Sequence, residues 1–235
     1  MDSVRASERA FFGVSALLFA ASAAVTILWS RSMAAMAEMP MPGAAASFLG
    51  MWVVMMVTMM LPSLLPMLWR YRQAVGGTGE RRLGRLTVIV GIGYFFVWTV
   101  FGMAAFPLGA ALEHAAPLAV GVIVLIAGAL QFTAWKAHQL GCCRESLPPG
   151  HTLSADAGTA WRHGVRLGVH CSQCCAGLIA ILLVTGIMDL REMAVVAAAI
   201  TVERLAPASE RVARVAIGVV VVATGLFLIA QQLGI

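Results

Sequence analysis

Residues 48–68 read Phe-Leu-Gly-Met-Trp-Val-Val-Met-Met-Val-Thr-Met-Met-Leu-Pro-Ser-Leu-Leu-Pro-Met-Leu, without one ionisable side chain. A bilayer core about 30 Å thick takes roughly 20 helical residues to cross, at about 1.5 Å each. This stretch meets that length. Further apolar runs occupy 11–29, 87–107, 117–136, 168–188, 190–206 and 213–232. The composition of all 235 residues agrees, with 60% hydrophobic, 11% charged and a mean hydropathy of +0.89. An ordinary soluble domain carries about 25% charged residues, and a core of this size cannot hide so much apolar surface from water. A soluble enzyme, a disordered tail and a disulfide-stapled secreted module are excluded. The expected fold is an all-α, polytopic transmembrane helical bundle of about seven spans, forming one domain over 1–235.

The run at 190–206 is the weakest, because Arg191 and Glu192 stand at one end and Glu203 and Arg204 at the other. Charge placement supports keeping it as a span. With seven spans and an inner N-terminus, every basic residue except Arg31 and Arg191 falls on the inner face, as the positive-inside rule requires. Dropping that span would put the 137–166 loop and the 207–212 cluster on opposite faces. The expectation is therefore N-in and C-out, with 69–86 and 137–166 as cytoplasmic loops. The net charge of +5 is then mostly an orientation signal with some attraction to anionic lipid. No basic–aromatic interleaving points to nucleic acid. The 11–29 run exceeds the 7–15 residues of a signal-peptide core, so a retained first span is expected. Gly164 and Gly168, Gly91 and Gly93, and Gly121 and Gly128 read as ordinary close-packing positions between helices.

The five cysteines fall in two short segments, Cys142-Cys143 and His170-Cys171-Ser172-Gln173-Cys174-Cys175. Both lie at one membrane face in this topology, and that face is reducing, so structural disulfides are not expected. In a helix, Cys171 shares a face with Cys174 and Cys175 at i+3 and i+4. Cys142 or Cys143 would approach from the preceding span, and His138 and His170 are near enough to add a nitrogen. Soft thiolates select Cu(I) or Zn(II) over hard ions. Two other readings stay open: buried free cysteines are common small apolar residues, and Cys171-x-x-Cys174 is a redox spacing.

Methionine is the second signal, with 14 residues in clusters. Met33, Met36, Met39 and Met41 follow the first span, and Met55, Met56, Met59 and Met60 line the second. A neutral thioether binds Cu(I) without burying charge, whereas zinc has little use for it. Methionine is also a gap-filler in helical bundles, so packing explains the second group equally well. Pro62 and Pro66 are expected to kink or loosen the end of that span.

The segments Trp52-Val-Val-Met-Met-Val-Thr-Met-Met-Leu-Pro62, Cys142-Cys143-Arg144, His170-Cys171-x-x-Cys174-Cys175 and Gly186-Ile-Met-Asp189-Leu190 through Glu203-Arg204 together resemble a known family. It is the bacterial family catalogued as domain of unknown function 2182, described as predicted metal-binding integral membrane proteins. The resemblance covers about 48–207 and implies a polytopic fold in the bacterial cytoplasmic membrane and a bound metal. That family usually has Asn where this chain has Asp189, and Glu-Lys where it has Glu203-Arg204. Met55-x-x-x-Met59 is also similar to the membrane motif of eukaryotic high-affinity copper transporters, by analogy only.

These features lead to an expected function: binding and moving a soft metal ion, Cu(I) before Zn(II). Outer methionines would collect it, Met55, Met56, Met59 and Met60 would relay it, and the Cys/His cluster of Cys142, Cys143, His138, His170, Cys171, Cys174 and Cys175 would receive it. Partners expected are membrane lipid and a cytosolic metal acceptor, with homo- or hetero-oligomers left open. The rival readings are a membrane thiol–disulfide oxidoreductase and a non-transporting metal sensor or assembly factor. No phosphate-binding loop, H-E-x-x-H or G-x-S-x-G occurs in the chain, so no enzyme is expected.

Overall fold

The computed structural model describes residues 2–35, 44–75, 78–112, 117–144, 153–185, 189–205 and 210–234. They form eight α-helices: α1 (Asp2–Ala35), α2 (Ala44–Ala74), α3 (Glu80–Leu112), α4 (Pro117–Leu130), α5 (Ala134–Arg144), α6 (Ala157–Thr185), α7 (Leu190–Leu205) and α8 (Glu210–Leu233). There is no strand among the described residues. Five helices are long and apolar enough to cross a membrane, or six when α4 and α5 count as one broken span. The all-α helical bundle read from the sequence is the observed fold among the described residues, and its long apolar helices are compatible with a multi-pass membrane protein.

Three boundaries differ from expectation, each for a local reason. The run at 117–136 is not one straight helix, because α4 and α5 meet at a 67° bend. Tight i→i+3 bonds turn the chain there, from Gln131 N–H to Gly128 O and from Thr133 N–H to Leu130 O. The Thr133 hydroxyl then accepts from the Lys136 N–H and starts α5. Arg214 of α8 donates to the Gln131 carbonyl at the break and reaches the Thr133 carbonyl at 3.5 Å, which also accepts the Ala137 N–H. Second, the 137–166 stretch, expected as a loop, is helical at both ends. α5 runs to Arg144, and α6 begins at Ala157, where Asp156 accepts from the Thr159 N–H at 2.8 Å. That backbone bond holds the Asp156 carboxyl below the ordinary carboxylate range. Third, α7 has 16 residues, shorter than the roughly 20 of a full crossing, and is not among the five or six helices whose length and composition alone fit a span. Asp189 caps it by accepting from the Arg191 and Glu192 N–H groups.

The helices fall into two compact units: Met1–Gly102 with Ser146–Gly168, and Met103–Glu145 with Val169–Ile235. In the first, α1 packs on α2, with Thr26 and Thr58 hydroxyls 3.4 Å apart and the Phe11 and Phe12 rings against Trp69. α2 continues through Pro62 and Pro66, so the prolines do not break it. Trp52 is fully buried, donates to the Trp98 carbonyl and lies flat against Gly102. In the second unit α4 packs along α8, and α7 touches both α5 and α8.

Glycine sets the helix separations. A Cβ at Gly164 would stand 2.2 Å from the Val90 carbonyl oxygen, and one at Gly168 would stand 2.9 Å from the Tyr94 oxygen. Gly121 and Gly128 on α4 meet Ile229 and Val222, while Gly225 on α8 meets Leu125. Lipid gives apolar helices no hydrophobic reason to associate, so such backbone-to-backbone approach supplies the contact. Gly91 is the exception among the expected packing glycines, with nothing within 4 Å of its Cβ position. Gly164→Ala should therefore destabilise the protein by roughly 1–3 kcal/mol, while Gly91→Ala is neutral or mildly stabilising. Unfolding in detergent, followed by helical circular dichroism, checks the pair.

Candidate metal centre

The sulfur site lies in the second unit and starts from one helical repeat. Cys171, Cys174 and Cys175 occupy i, i+3 and i+4 of α6, which puts their side chains on one face. All three are buried, and their Sγ atoms lie within 4.8 Å of one another. The Cys174–Cys175 separation is 3.6 Å and the Cys171–Cys175 separation is 3.8 Å. Ligands about 2.3 Å from one ion, at tetrahedral to trigonal angles, stand roughly 3.8–4.0 Å apart. The thiols are thus spaced as ligands of a single ion, and all five cysteines are free.

A fourth sulfur joins from α5. Cys143 is buried, and its Sγ lies 3.5 Å from that of Cys174. The two cysteine segments, far apart in the chain, converge as expected. Cys142 does not share this position, because neighbouring helical residues point about 100° apart. Its sulfur instead lies 3.6 Å from Nε2 of the exposed His138 on the same helix. His170 is not in the group of three, although it stands at i relative to Cys174 at i+4, and its Nδ1 is 3.2 Å from the Gln139 amide oxygen.

Three charged residues surround the sulfurs, and none was singled out as a site residue from the sequence. Arg204 of α7 is buried and donates to Cys171 Sγ at 3.0 Å. Lys136, the chain's sole lysine, sits on α5 and donates to the Cys174 carbonyl. It also pairs with Glu203 of α7 at 2.9 Å, and the two side chains are only 5% and 2% exposed. The Gln131 side chain hydrogen-bonds the same carboxylate. Glu203 and Arg204, which the sequence places only at the end of an apolar run, are buried, and Glu203 is salt-bridged. They lock α7 to α5 and α6. The available signal was a lone lysine and an acid–base pair close to apolar runs, where ionisable residues tend to be functional.

The methionines of α2 belong to the first unit. Met55, Met56, Met59 and Met60 are all buried, so the stripe faces protein rather than lipid. Met36, Met39 and Met41, together with the Met33 side chain, lie outside the described residues.

What the centre can do follows from its charges. The Lys136–Glu203 pair cancels itself, which leaves one guanidinium beside the sulfurs. A Cu(I) ion on two thiolates carries net −1, and Arg204 would bring the whole to zero. In low dielectric that balance decides whether the species is tolerated. Removing one partner of the buried pair has a separate cost. Lys136→Ala strands the Glu203 carboxylate and should cost about 3–5 kcal/mol, whereas Lys136→Met with Glu203→Leu costs much less. Comparing unfolding midpoints of the single and double variants checks this.

Comparison with known proteins adds one match. No curated protein and no solved structure matches the chain. Residues 49–228, which take in every helix from α2 to most of α8 and all of the sulfur centre, match the model of the PpoB2 family, described as copper chaperone. With a match over most of its length and a buried multi-thiol centre inside the matched region, the chain belongs to the PpoB2 copper chaperone family.

Proposed function

We propose that the protein carries Cu(I) on two thiolates of the Cys171, Cys174 and Cys175 group and passes it to a partner through Cys143. The observation that carries this reading is the cluster itself: three buried sulfurs within 4.8 Å, a fourth 3.5 Å from Cys174, and a guanidinium 3.0 Å from Cys171. Binding is a proton exchange, in which Cu⁺ and two thiols give a dithiolate complex of charge −1 and release two protons. Copper is cargo here, and no bond other than metal–sulfur and sulfur–hydrogen changes. Cys143 lies close to one member of the trio but outside it, the position from which a new ligand enters as another leaves. The family's description as copper chaperone supports hand-over as the purpose.

Cu(I) is preferred to Zn(II) on ligand chemistry. Zinc favours four tetrahedral ligands, and four thiolates around it would leave net −1 beside Arg204, whereas Cu(I) on two reaches neutrality. The buried methionines of α2 suit Cu(I) alone. On this reading Met55, Met56, Met59 and Met60 relay the ion from outer methionines to the cysteines, and a cytosolic thiol acceptor takes it. A potential of 100 mV, negative inside, favours inward movement of a monovalent cation by about 2.3 kcal/mol. Charge placement along the chain supports an N-in orientation in a bacterial cytoplasmic membrane, with the cysteines inside.

Anaerobically purified protein should bind one Cu(I) per chain in competition with a colorimetric Cu(I) chelator. The triple Cys171→Ser, Cys174→Ser, Cys175→Ser variant should bind none. Arg204→Gln should weaken affinity roughly 10- to 100-fold, as loss of a group supporting a metal ligand typically does. Cys143→Ser should retain the ion and slow its transfer to a thiol acceptor. A metal-free protein with a reversibly titrating disulfide would instead make it an oxidoreductase. For the relay, ⁶⁴Cu uptake into proteoliposomes should fall in Met55→Leu with Met59→Leu while binding is kept. Equal uptake in that variant and the parent would remove the methionines from the path.

A further inference from the structure

The first unit contains a cavity of about 800 Å³ between α1, α2 and α3, unrelated to the sulfur centre. Its walls are apolar, with Leu18, Val57, Leu61, Ile92 and Phe96 among them, and the side chains of Ile92 and Phe96 are half-exposed. That volume lies in the range of built ligand sites, about 300–1,000 Å³. One end is polar. Arg72 reaches it with a side chain only 9% exposed, against 60% for its partner Glu80 at 3.3 Å. The guanidinium also donates to the Ser7 hydroxyl at 2.9 Å, approaches Thr87 Oγ1 at 3.5 Å, and lies over the Phe11 ring. Next to these residues in the chain, Arg9, Arg81 and Arg85 are exposed.

We infer that this cavity is a binding site for an anionic glycerophospholipid, its phosphate at Arg72 and an acyl chain along the apolar walls. Three features select that occupant. The polar groups that bond with Arg72 lie at one end, so the ligand has one head. Surplus positive charge around that end favours an anionic head over a zwitterionic or neutral one. The α1 residues lining the cavity, Ser7 to Leu18, extend about 16 Å at 1.5 Å per residue. That depth is close to half of a hydrocarbon core about 30 Å thick, the reach of a chain from one leaflet. An apolar space of this size repels water, so hydrocarbon fills it. The phosphate would take the place of the Glu80 carboxylate on Arg72 and accept from the Ser7 hydroxyl that now donates to Glu80, while the Thr87 hydroxyl, which donates to the Leu83 carbonyl, steadies the guanidinium. Bound there, the lipid joins α1 to α3.

Substitutions that act in opposite directions test the site. Full-length protein in mild detergent is offered equal amounts of phosphatidylglycerol and phosphatidylethanolamine of matched chains, and retained lipid is read by native mass spectrometry. The parent should keep one phosphatidylglycerol, preferred about tenfold or more. Arg72→Gln should abolish the preference, and Glu80→Gln should strengthen it by removing the competing carboxylate. Gly91 lines the cavity with nothing within 4 Å of its Cβ position, so Gly91→Leu should fill the space and expel lipid without disturbing the helix. Unchanged helicity and a single gel-filtration peak confirm its fold. Equal retention of both lipids by the parent, a co-purifying isoprenoid quinone in place of phospholipid, or undiminished binding by Gly91→Leu would each overturn the assignment.

Discussion

A charge enclosed by apolar groups has to be cancelled within a few ångströms, and the second unit is organised by that constraint. Lys136 and Glu203 cancel each other across α5 and α7, and Gln131 satisfies part of the same carboxylate. Arg204 has a sulfur beside it in Cys171. An ion pair of this kind adds little net stability over a well-packed apolar pair, because desolvation consumes most of the attraction. Its value is positional. It can form in only one register of α7 against α5, and that register brings Arg204 to the thiols. Bringing α5 into the same arrangement also sets Cys143 against Cys174.

The same unit depends on close approach where no charge is involved. Gly121 and Gly128 on α4 and Gly225 on α8 let two backbones run in contact, and in the first unit Gly164 and Gly168 do so for α6 against α3. In a lipid solvent this contact carries the association that burial of apolar surface carries in water. Glycine therefore fixes where the helices run, and the ion pair and Arg214 fix how they turn about their axes.

Much of this was legible in the sequence. Apolar length gave the helices, and i, i+3, i+4 spacing gave the face shared by Cys171, Cys174 and Cys175. Two things were hidden. The break at Gln131–Thr133 contains neither glycine nor proline, so its one local signal is the capping Thr133, and it is stabilised by Arg214, far away in the chain. Because the break sets the rotation of α5, the choice between Cys142 and Cys143 was hidden with it. Lys136, Glu203 and Arg204 stand near the ends of apolar runs, where charges ordinarily snorkel to water. Only the packing of α7 shows that they turn inward instead. The extended start of α6 was readable in principle, since Asp156 followed by Thr159 is an ordinary helix-starting pattern.

The bend between α4 and α5 has a mechanical consequence. Three of the sulfurs ride on one uninterrupted 29-residue helix, and the remaining one rides on an 11-residue helix attached through a sharp turn. The short helix is held by Arg214 at its start, by the Lys136–Glu203 pair to α7 and by Lys136 on the Cys174 carbonyl of α6. The centre is thus built like a closed vice, with three thiols on one jaw and the fourth clamped against them by the other.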